Sequence, residues 1–415
     1  MNAEIIAVGS ELLTPFRHDT NSLFITEQLN QIGIEVIFKT IVGDYGPHLV
    51  AVSKTALSRS DLIIFSGGLG PTEDDLTREA VAEALGLRLR RDPDLVAELY
   101  ARFAVRRLKM PENNARQADI IQGSTLLRNA NGTAPGQWIE TEKEGRTIVL
   151  ILLPGPPNEL QPMFSAQCLP EIRNRAPAGI MVTKVLKVAM MPESECDMRV
   201  SPIYKRYPEI QTTILSSVGE VQIHLRVRAK SRQDAQGLLK VVSDQIEDEL
   251  EDHIFSTGGE SLEQIVGYYL QLRAATLAVA ESCTGGMLAQ RITSVSGSSR
   301  YFLGGAIVYE NDVKTSLAQV PPMLIAEHGA VSTQVAVAMA EGIRKECHSS
   351  FGIGITGVAG PTGGTPEKPV GVVFHALSDG VKTEVIERRF NGDRERIRSW
   401  ASQQALDMLR KRLAE

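Results

Sequence analysis

The sequence predicts an α/β protein: two α/β domains with largely parallel sheets, joined by a small α+β module. At both ends of the chain, short apolar strands alternate with amphipathic helical patterns, which is typical of parallel strands covered by helices on both faces. Between about residues 181 and 256 the strands and helices carry no cluster of catalytic residue types. A chain of 415 residues is too long for one core, so we expect domains at 1–172, 178–256 and 258–415.

Composition and charge are those of an ordinary globular protein. Hydrophobic residues make up 43% and charged residues 23%, and 44 basic against 50 acidic side chains leave a net charge of −6. An acidic balance does not favour general binding to nucleic acid. The longest aliphatic run, residues 148–153, is too short to cross a bilayer, and residues 1–4 lack the basic segment of a secretory signal.

The four cysteines are far apart and show no paired spacing: Cys168, Cys196, Cys283 and Cys347. This spacing argues against a disulfide framework and against zinc sites. Together with the missing signal segment it favours a reducing compartment, so we expect a cytoplasmic protein that binds no membrane.

The first domain reads as three strand–helix pairs followed by a hairpin and further helices. Apolar runs predict strands at residues 4–8, 34–42, 61–65, 137–142 and 147–153. Amphipathic spacing predicts helices between the capping residues 19–22 and Gly33, at 47–59, 76–85 and 93–108, and from residue 158. Ligands of such sheets bind beyond the carboxyl ends of the strands, so the loops there are the expected site.

The loop at residues 67–75 carries three glycines followed by two adjacent carboxylates. Its glycine amides can cradle an anion while Asp74 and Asp75 hold a hard metal ion, a combination that suits phosphoryl chemistry. The alternative is that both aspartates merely cap the helix that follows. The substrate-binding residues expected from this loop and the neighbouring turns are Gly67, Gly68, Gly70, Thr72, Ser10 and Gly155.

The rest of the chain gives a small module and a second α/β domain. For the module we expect strands at 182–189 and in a hairpin at 212–228, and helices at 194–207 and 232–251. For the last domain, strands are expected at 275–279, 302–308, 351–355, 370–376 and 381–390. Its helices are expected at 262–272, after Gly286, at 332–347 and at 394–413.

A hydroxyl, a thiol and a second hydroxyl precede two glycines at one strand-to-helix turn of this last domain, residues 280–286. Ser282 can act as a nucleophile there, and the free amides at the start of the helix can stabilise an oxyanion. The alternative is a capping Ser or Thr with glycines for packing. Cys283 is either the nucleophile in place of Ser282 or a small buried apolar residue.

A nucleophile at this turn requires a base. None of the histidines of this domain stands beside a glycine-rich strand end, whereas Lys314 follows a strand end and can be neutral if it is desolvated. Tyr309 and Thr356 can relay or orient the proton. The alternative is that Lys314 is a solvated residue early in a helix.

Four motifs of this domain, in order, resemble the carboxyl-terminal domain of the CinA family: Ala-Glu-Ser-Cys-Thr-Gly-Gly at 280–286, Tyr-Glu-Asn-Asp-Val-Lys at 309–314, His-Gly-Ala-Val-Ser at 328–332 and Gly-Ile-Thr-Gly-Val-Ala-Gly-Pro at 354–361. The resemblance implies hydrolysis of nicotinamide mononucleotide to nicotinate mononucleotide and ammonia. It implies Ser282 as nucleophile, Lys314 as base and Thr356 and Tyr309 as helpers, without a cofactor. We expect the substrate contacts to come from Thr284, Gly285, Gly286, Gly357, Gly360 and Gly363, with the loop at 357–364 holding the phosphate.

The amino-terminal loop is similar to the molybdopterin-binding fold, and in particular to the CinA amino-terminal domain. The resemblance is carried by Gly-Gly-Leu-Gly-Pro-Thr-Glu-Asp-Asp at 67–75, Gly-Thr-Ala-Pro-Gly at 132–136 and Pro-Gly-Pro-Pro at 154–157. It implies an ADP-ribose pyrophosphatase that needs a divalent metal, Mg²⁺ or a similar ion. It also implies a homodimer.

The resemblance further implies that the middle module is KH-like. No Gly-x-x-Gly loop occurs between 181 and 256, so the clamp that holds a nucleic-acid backbone in a KH domain is missing. We therefore expect a structural spacer and no nucleic-acid partner. Two alternatives to the two-headed enzyme stay open: a competence-linked recruitment protein with a degenerate pterin-type domain, and molybdopterin adenylylation at the 67–75 loop.

Overall fold

The computed structural model describes residues 1–105, 107–176 and 179–415. The chain divides into two compact units, Met1–Val182 with Arg228–Ala235, and Thr183–Val227 with Gln236–Glu415. The domain boundary expected at residue 178 and one residue of the helix expected at 93–108, residue 106, lie outside the described residues. No helix in the described ranges is long and apolar enough to span a membrane.

The first unit contains a mixed six-stranded sheet. The sheet consists of β1 (Asn2–Val8), β2 (Glu35–Val42), β3 (Leu62–Ser66), β6 (Thr125–Leu127), β7 (Gly136–Lys143) and β8 (Arg146–Leu153). A separate two-stranded ribbon is formed by β4 (Leu89–Arg91) and β5 (Asp119–Ile121). The order is β2-β1-β3-β8-β7-β6. The four strands from β2 to β8 run parallel, and the β8–β7–β6 edge is antiparallel.

Helices cover both faces of this sheet because its central strands are apolar on both faces. The helices are α1 (Thr20–Gln31), α2 (Gly46–Arg59), α3 (Thr77–Leu85), α4 (Pro93–Val105), α5 (Pro157–Met163) and α6 (Leu169–Arg175). Ile5 and Ile64 point into one core with Ile25 of α1, whereas the next residues along the strands, such as Ile6, point into the other core with Leu57 of α2. This period of two with burial on both sides is the pattern expected of central parallel strands.

The middle of the chain forms a four-stranded sheet with two helices. The strands, in the order β10-β11-β9-β12, are β9 (Ile180–Ala189), β10 (Ile210–Ser217), β11 (Glu220–Ala229) and β12 (Ile254–Ser256). The helices are α7 (Glu193–Tyr204) and α8 (Arg232–Leu250). The hairpin predicted around Gly219 is confirmed, since β10 and β11 pair antiparallel from Ile210 to Ser217.

The last part of the chain forms a five-stranded sheet in the order β14-β13-β15-β16-β17. Its elements are α9 (Leu262–Leu272), β13 (Leu277–Glu281), α10 (Met287–Thr293), β14 (Phe302–Ile307), α11 (Asn311–Ala318), α12 (Pro322–His328), α13 (Thr333–Glu346), β15 (Phe351–Gly357), β16 (Val372–Ser378), β17 (Thr383–Arg389) and α14 (Arg394–Ala414). β13 pairs parallel with β14 and β15, and β16 pairs antiparallel with β15 and β17. The predicted α/β class with parallel-containing sheets is thus confirmed for both ends of the chain.

Two glycines of β15 allow α13 to lie directly against the sheet. A Cβ atom on Gly352 would come within 2.2 Å of the Ala340 carbonyl oxygen, and one on Gly354 within 2.4 Å of the Ala336 carbonyl oxygen. Real Cβ atoms do not approach so closely, so any larger residue would push the helix away. The contact fixes β15, and with it Thr356 two residues further on.

His375 lies at the centre of β16 and is fully buried. Its ring packs edge-on against Phe390, with 5.9 Å between the ring centroids, and Phe390 in turn stacks on Trp400 at 5.7 Å. Burial lowers the pKa of His375 to about 4, because the charged imidazolium would lose its hydration there.

We expect His375 to make the protein acid-sensitive. The unfolded chain binds a proton at His375 below about pH 6.5, whereas the folded chain does so only near pH 4. Stability is therefore full above about pH 6.5 and is lost as the pH falls towards 4, by up to about 3 kcal/mol. Urea unfolding at pH 7.5 and 5, followed by Trp400 fluorescence in a Trp138→Phe background, measures this loss. His375→Leu should reduce the difference in unfolding free energy between the two pH values, whereas the control His48→Leu, at an exposed position, should leave it unchanged. If His375→Leu kept the full difference, the assignment to His375 would be contradicted.

Candidate active sites

The loops after β1, β3 and β8 line one cavity of about 310 Å³ at the carboxyl edge of the first sheet. The structure therefore brings together residues that the sequence places far apart: Gly67, Gly68, Gly70, Thr72, Asp74, Asp75 and Gly155. Ser10 joins them indirectly. Its amide donates to Asp44 Oδ2 (2.6 Å) and its hydroxyl accepts from the Asp44 amide (3.0 Å), and Asp44 lines the cavity.

The backbone at the start of the glycine loop, residues 67–75, has positive φ angles and is closely packed. Gly67 and Gly68 have φ angles of 107° and 67°, which favour glycine. The Thr77 hydroxyl donates to the Gly67 carbonyl oxygen (2.9 Å), and a Cβ on Gly68 would lie only 2.1 Å from that hydroxyl oxygen. The loop is thus held against α3, and larger residues at either position would displace it.

A buried arginine supports the second half of the loop. The two terminal nitrogens of Arg78 donate to the carbonyl oxygens of Leu69 (2.8 Å) and Gly70 (2.9 Å), and the residue is only 1% exposed. Burial lowers the pKa of its guanidinium from the ordinary value. Sequence reasoning missed this residue. An arginine in the first turn of a helix is usually solvated. The only signal in the sequence for a buried role was its position after a glycine loop.

Asp74 and Asp75 do not cap the helix that follows, so that alternative is wrong. The residue before α3 is Leu76, and no side chain caps the helix. Asp75 instead closes the loop, because its Oδ2 accepts from the Thr72 amide (2.9 Å) and from the Thr72 hydroxyl. Asp74 also lines the cavity, and a hydrogen bond from the Thr72 side chain lowers the pKa of its carboxyl group.

The cavity is strongly acidic. Its described lining residues include five carboxylates and no lysine, arginine or histidine; the carboxylates are Glu11, Asp44, Asp74, Asp75 and Glu159. A phosphate group would be repelled here unless a cation came with it. No group of three or more His, Cys, Asp or Glu residues in the described ranges could hold a metal by itself. Mg²⁺, however, commonly uses only one or two carboxylates together with waters and substrate phosphates, so the donor set fits that ion.

The second site lies where β13, β14 and β15 end. Glu281, the last residue of β13, is in register with Ile307 and Ile355. The Ser282 amide donates to the Ile355 carbonyl oxygen (2.9 Å), and the Val308 amide donates to the Glu281 carbonyl oxygen (2.7 Å). The three predicted strand ends, with Ser282, Tyr309 and Thr356, therefore meet at one edge of the sheet.

The two candidate nucleophiles differ in ionisation. Ser282 is 8% exposed, and in the described ranges no side-chain or backbone group is hydrogen-bonded to its hydroxyl. Cys283 belongs to the hydrophobic core of the domain, and burial raises the pKa of its thiol to about 12. A protonated thiol is a poor nucleophile, so the burial of Cys283 favours Ser282 as the nucleophile.

The prediction that the amides at the start of α10 are free to stabilise an oxyanion is wrong. The buried carboxylate of Glu281 accepts from the amides of Gly286 (3.0 Å), Leu288 (3.1 Å) and Ala289 (2.7 Å). No oxygen of the described residues accepts from the amides of Cys283 and Thr284, which leaves these as the available donors at the turn. The alternative of a capping Ser or Thr is also wrong, because Gly286 precedes α10 and the Glu281 carboxylate, not a hydroxyl, accepts from the first amides of that helix.

Lys314 is buried and is not a solvated helix residue. It is 2% exposed in α11, and its Nζ donates to the Tyr309 carbonyl oxygen (3.0 Å). Burial lowers the pKa of Lys314, although the charge of Glu310 opposes the shift. A lysine of this kind is closer to the neutral, basic form than a surface lysine.

The two helper residues have partners that the sequence did not reveal. The Thr356 hydroxyl donates to the Ala330 carbonyl oxygen (2.8 Å). Tyr309 is 58% exposed, and its hydroxyl accepts from Arg394 (2.7 Å). Its contact with Lys314 is made by the main chain, as described above.

Arg394 and Arg398, in the first turns of α14, connect the loops of this site. Arg394 also donates to the Gly360 carbonyl oxygen (2.7 Å), so it joins the Tyr309 loop to the glycine loop. Arg398 donates to the Thr284 carbonyl oxygen from Nε (3.0 Å) and a terminal nitrogen (2.6 Å). Sequence reasoning missed both, since their spacing of four residues in a charged helix start is typical of a solvated face.

The predicted glycine residues lie around this turn and loop. Gly285 and Gly286 have positive φ angles of 58° and 91°, and Gly360 and Gly363 have φ angles of 74° and 86°. Gly357 is the last residue of β15, where a Cβ would come within 2.7 Å of the Val372 carbonyl oxygen. The backbone of these segments can thus approach a ligand without side chains in between.

Comparison with family models defines the class first. Three models match the chain in order: "Probable molybdopterin binding domain" at residues 4–174, "Damage-inducible protein CinA KH domain" at 183–256 and "CinA C-terminal domain" at 259–413. The chain is therefore of the class that joins a molybdopterin-binding-type domain to a KH-type module and a CinA carboxyl-terminal domain.

Full-length relatives identify the family. A "CinA-like protein" of Koribacter versatilis is 59% identical over 413 residues and covers 100% of both chains. A "CinA-like protein" of Acidobacterium capsulatum is 54% identical with the same coverage. The chain belongs to the CinA family. Among solved structures, the competence/damage inducible protein CihA from Agrobacterium tumefaciens is 34% identical and covers 37% of this chain and 94% of its own, with a TM-score of 0.36.

Proposed function

We propose that the carboxyl-terminal domain hydrolyses nicotinamide mononucleotide to nicotinate mononucleotide and ammonia. The observation that carries the proposal is the buried Lys314 at the same sheet edge as Ser282. Lys314 Nζ takes the proton of the Ser282 hydroxyl as the oxygen attacks the carboxamide carbon. The Cys283 and Thr284 amides are the donors left for the oxyanion.

In the remaining steps Lys314 transfers one proton in each half of the reaction. Lys314 returns it to the nitrogen as the carbon–nitrogen bond breaks, and ammonia leaves an ester on Ser282. Lys314 then takes a proton from water, the hydroxide displaces Ser282, and Ser282 regains its proton. The nicotinate carboxylate is the product. Arg394, which joins the Tyr309 and Gly360 loops, keeps the two walls of the site in place.

We also propose that the amino-terminal domain cleaves ADP-ribose to AMP and ribose 5-phosphate. The support is the glycine loop, braced by Arg78, in a cavity whose lining is acidic and without cations. Asp74 and the free oxygen of Asp75 would hold Mg²⁺ or a similar ion. When bound, that ion supplies the positive charge that a pyrophosphate needs in this cavity. The glycine amides of the loop orient the phosphates.

The proposal assigns the two activities to separate domains, 1–172 and 258–415. Incubating the purified protein with each substrate tests it directly. Release of ammonia from nicotinamide mononucleotide, and of AMP from ADP-ribose with Mg²⁺, would support both parts. A protein that releases neither product would instead favour the recruitment role, and loss of either activity alone would remove that half of the proposal.

We expect Asp74→Asn to lower ADP-ribose hydrolysis by about 10²-fold or more, because the neutral amide binds a hard cation poorly. The rate measured against Mg²⁺ concentration should show a higher requirement in the variant. Asp94→Asn, an exposed position on α4, is the matched control and should keep the full rate. Deamidation should be unchanged in both variants. Equal hydrolysis by the wild type in excess chelator would refute the metal role.

A further inference from the structure

Helix α14 is buried on every side along its middle. All ten residues from 401 to 410 are buried, and five of them are polar: Ser402, Gln403, Gln404, Asp407 and Arg410. A helix on the surface of a domain usually buries one apolar face and leaves its polar face in water. The polar side chains of α14 instead need hydrogen-bonding partners from the elements packed around it.

Gln403 joins two of these elements. Its Nε2 donates to the carbonyl oxygen of Gly219 (3.2 Å), in the turn between β10 and β11. Its Oε1 accepts from a terminal nitrogen of Arg291 in α10 (2.6 Å). The residue is only 3% exposed, so both contacts are shielded from water. Gln403 thus links the hairpin of the middle module to the helix that follows the Ser282 turn, residues 282–286.

The hairpin turn fits closely against α14. Gly219 has a φ angle of 73°, and a Cβ on it would lie 2.6 Å from Cγ of Gln403 and 3.4 Å from Cε3 of Trp400. The Gly219 carbonyl oxygen also accepts from the Met190 amide, just after β9 (3.0 Å). The backbone of the module therefore holds this carbonyl oxygen in place opposite Gln403.

The Ser282 turn is attached to α14 on both sides. Arg398 of α14 donates twice to the Thr284 carbonyl oxygen within the turn. On the other side, α10 begins directly after the turn, and its Arg291 is bonded to Gln403. A shift of α14 would therefore displace the turn, together with the amides that we propose as oxyanion donors.

We propose that Gln403 is a positioning residue of the deamidase site, through which the hairpin of the middle module holds the Ser282 turn in its reactive geometry. The inference rests on the proposed hydrolysis of nicotinamide mononucleotide. Gln403 acts through other residues: it fixes α14 against the Gly219 carbonyl oxygen, and α14 fixes the turn through Arg291 and Arg398. The module is then a working part of the carboxyl-terminal site and not only the spacer expected from the sequence.

Gln403→Glu tests the link because it changes one of the two contacts and keeps the other. A carboxylate still accepts from Arg291, but it cannot donate to the Gly219 carbonyl oxygen and is repelled by it. We expect kcat for ammonia release to fall about tenfold and KM to stay within about twofold, because displaced oxyanion donors weaken binding of the transition state more than of the substrate. Gln404→Glu is the matched control. Gln404 is equally buried in α14, but it accepts from Arg388 of β17 (3.0 Å), so this variant should keep the wild-type kcat.

Gly219→Ala tests the same link from the side of the module. Its added methyl group would push against Gln403, so kcat should again fall. The double variant Gly219→Ala/Gln403→Glu should lose little more than either single variant, since both break one contact. Gly145→Ala is the control for backbone strain. Gly145 has a similar φ angle of 75° in the turn between β7 and β8, but open space surrounds its Cβ position, so kcat should be unchanged.

Amide hydrogen exchange measures the link without turnover. The amides of the Ser282 turn and α10 should exchange several-fold faster in Gln403→Glu than in the wild type or in Gln404→Glu, and those of β3 should not change. Wild-type kcat and exchange in Gln403→Glu, or equal losses in Gln404→Glu, would overturn the positioning role. If the wild type released no ammonia, the proposed deamidation would fail, and the exchange rates alone would decide whether Gln403 positions the turn.

Discussion

Ser282→Ala should lower the release of ammonia from nicotinamide mononucleotide by at least about 10³-fold, as loss of a nucleophile does in other hydrolases. The reason is the position of Ser282 relative to the other residues of the site. Ser282 lies at the sheet edge shared with Thr356 and Tyr309, and its hydroxyl is not engaged by the described residues. The substitution removes one oxygen from a residue whose amide, not its hydroxyl, joins β15. Folding should therefore be kept, and a thermal unfolding curve is the check.

Cys283→Ala is the companion variant. Its thiol has a pKa of about 12 and packs in the hydrophobic core, so we expect most of the deamidase activity to remain, with a modest loss of stability from the small cavity. The opposite pattern, with activity kept in Ser282→Ala and lost in Cys283→Ala, would make the thiol the nucleophile.

The long elements of the fold were predictable from the sequence, and the short ones were not. The central strands β3 and β8 are apolar runs buried on both faces, and such runs give a clear signal. The three-residue strands β4, β5 and β6 and the short helix α12 were not predicted. Three residues show no periodicity, and these elements form only because neighbouring chain segments supply their partners.

The strand-end motifs predicted which loops meet, but not how their polar groups pair. In the sequence, Glu281 is only the polar residue that ends an apolar strand. In the structure, its carboxylate accepts hydrogen bonds from three of the amides that were expected to stay free. Arg394 contacts the carbonyl oxygen of Gly360, 34 residues away in the chain. A hydrogen bond from a side chain to a distant backbone atom leaves no spacing in the sequence, so it becomes visible only in three dimensions.

Lys314→Met should lower deamidation by about 10²–10⁴-fold, the usual contribution of a general base. The wild-type rate should rise with pH, because only neutral Lys314 can accept the Ser282 proton. Burial lowers the pKa of Lys314, so this rise lies below the range of an ordinary lysine. In Lys314→Met the rise should disappear from the residual rate. Lys345→Met, an exposed lysine of α13, is the matched control and should keep both the rate and its pH profile.

Measuring the unfolding stability of Lys314→Met against pH distinguishes a catalytic role of Lys314 from a structural one. The folded pKa of Lys314 is lowered, so the unfolded chain binds the extra proton between the lowered pKa and the ordinary value near 10.5. The wild type should therefore gain stability as the pH rises through that window, and Lys314→Met should lose this gain because no charge is buried. Met fills a similar volume, so the variant should be at least as stable as the wild type at neutral pH. A variant that lost activity together with stability would indicate that Lys314 holds the fold and that another group is the base.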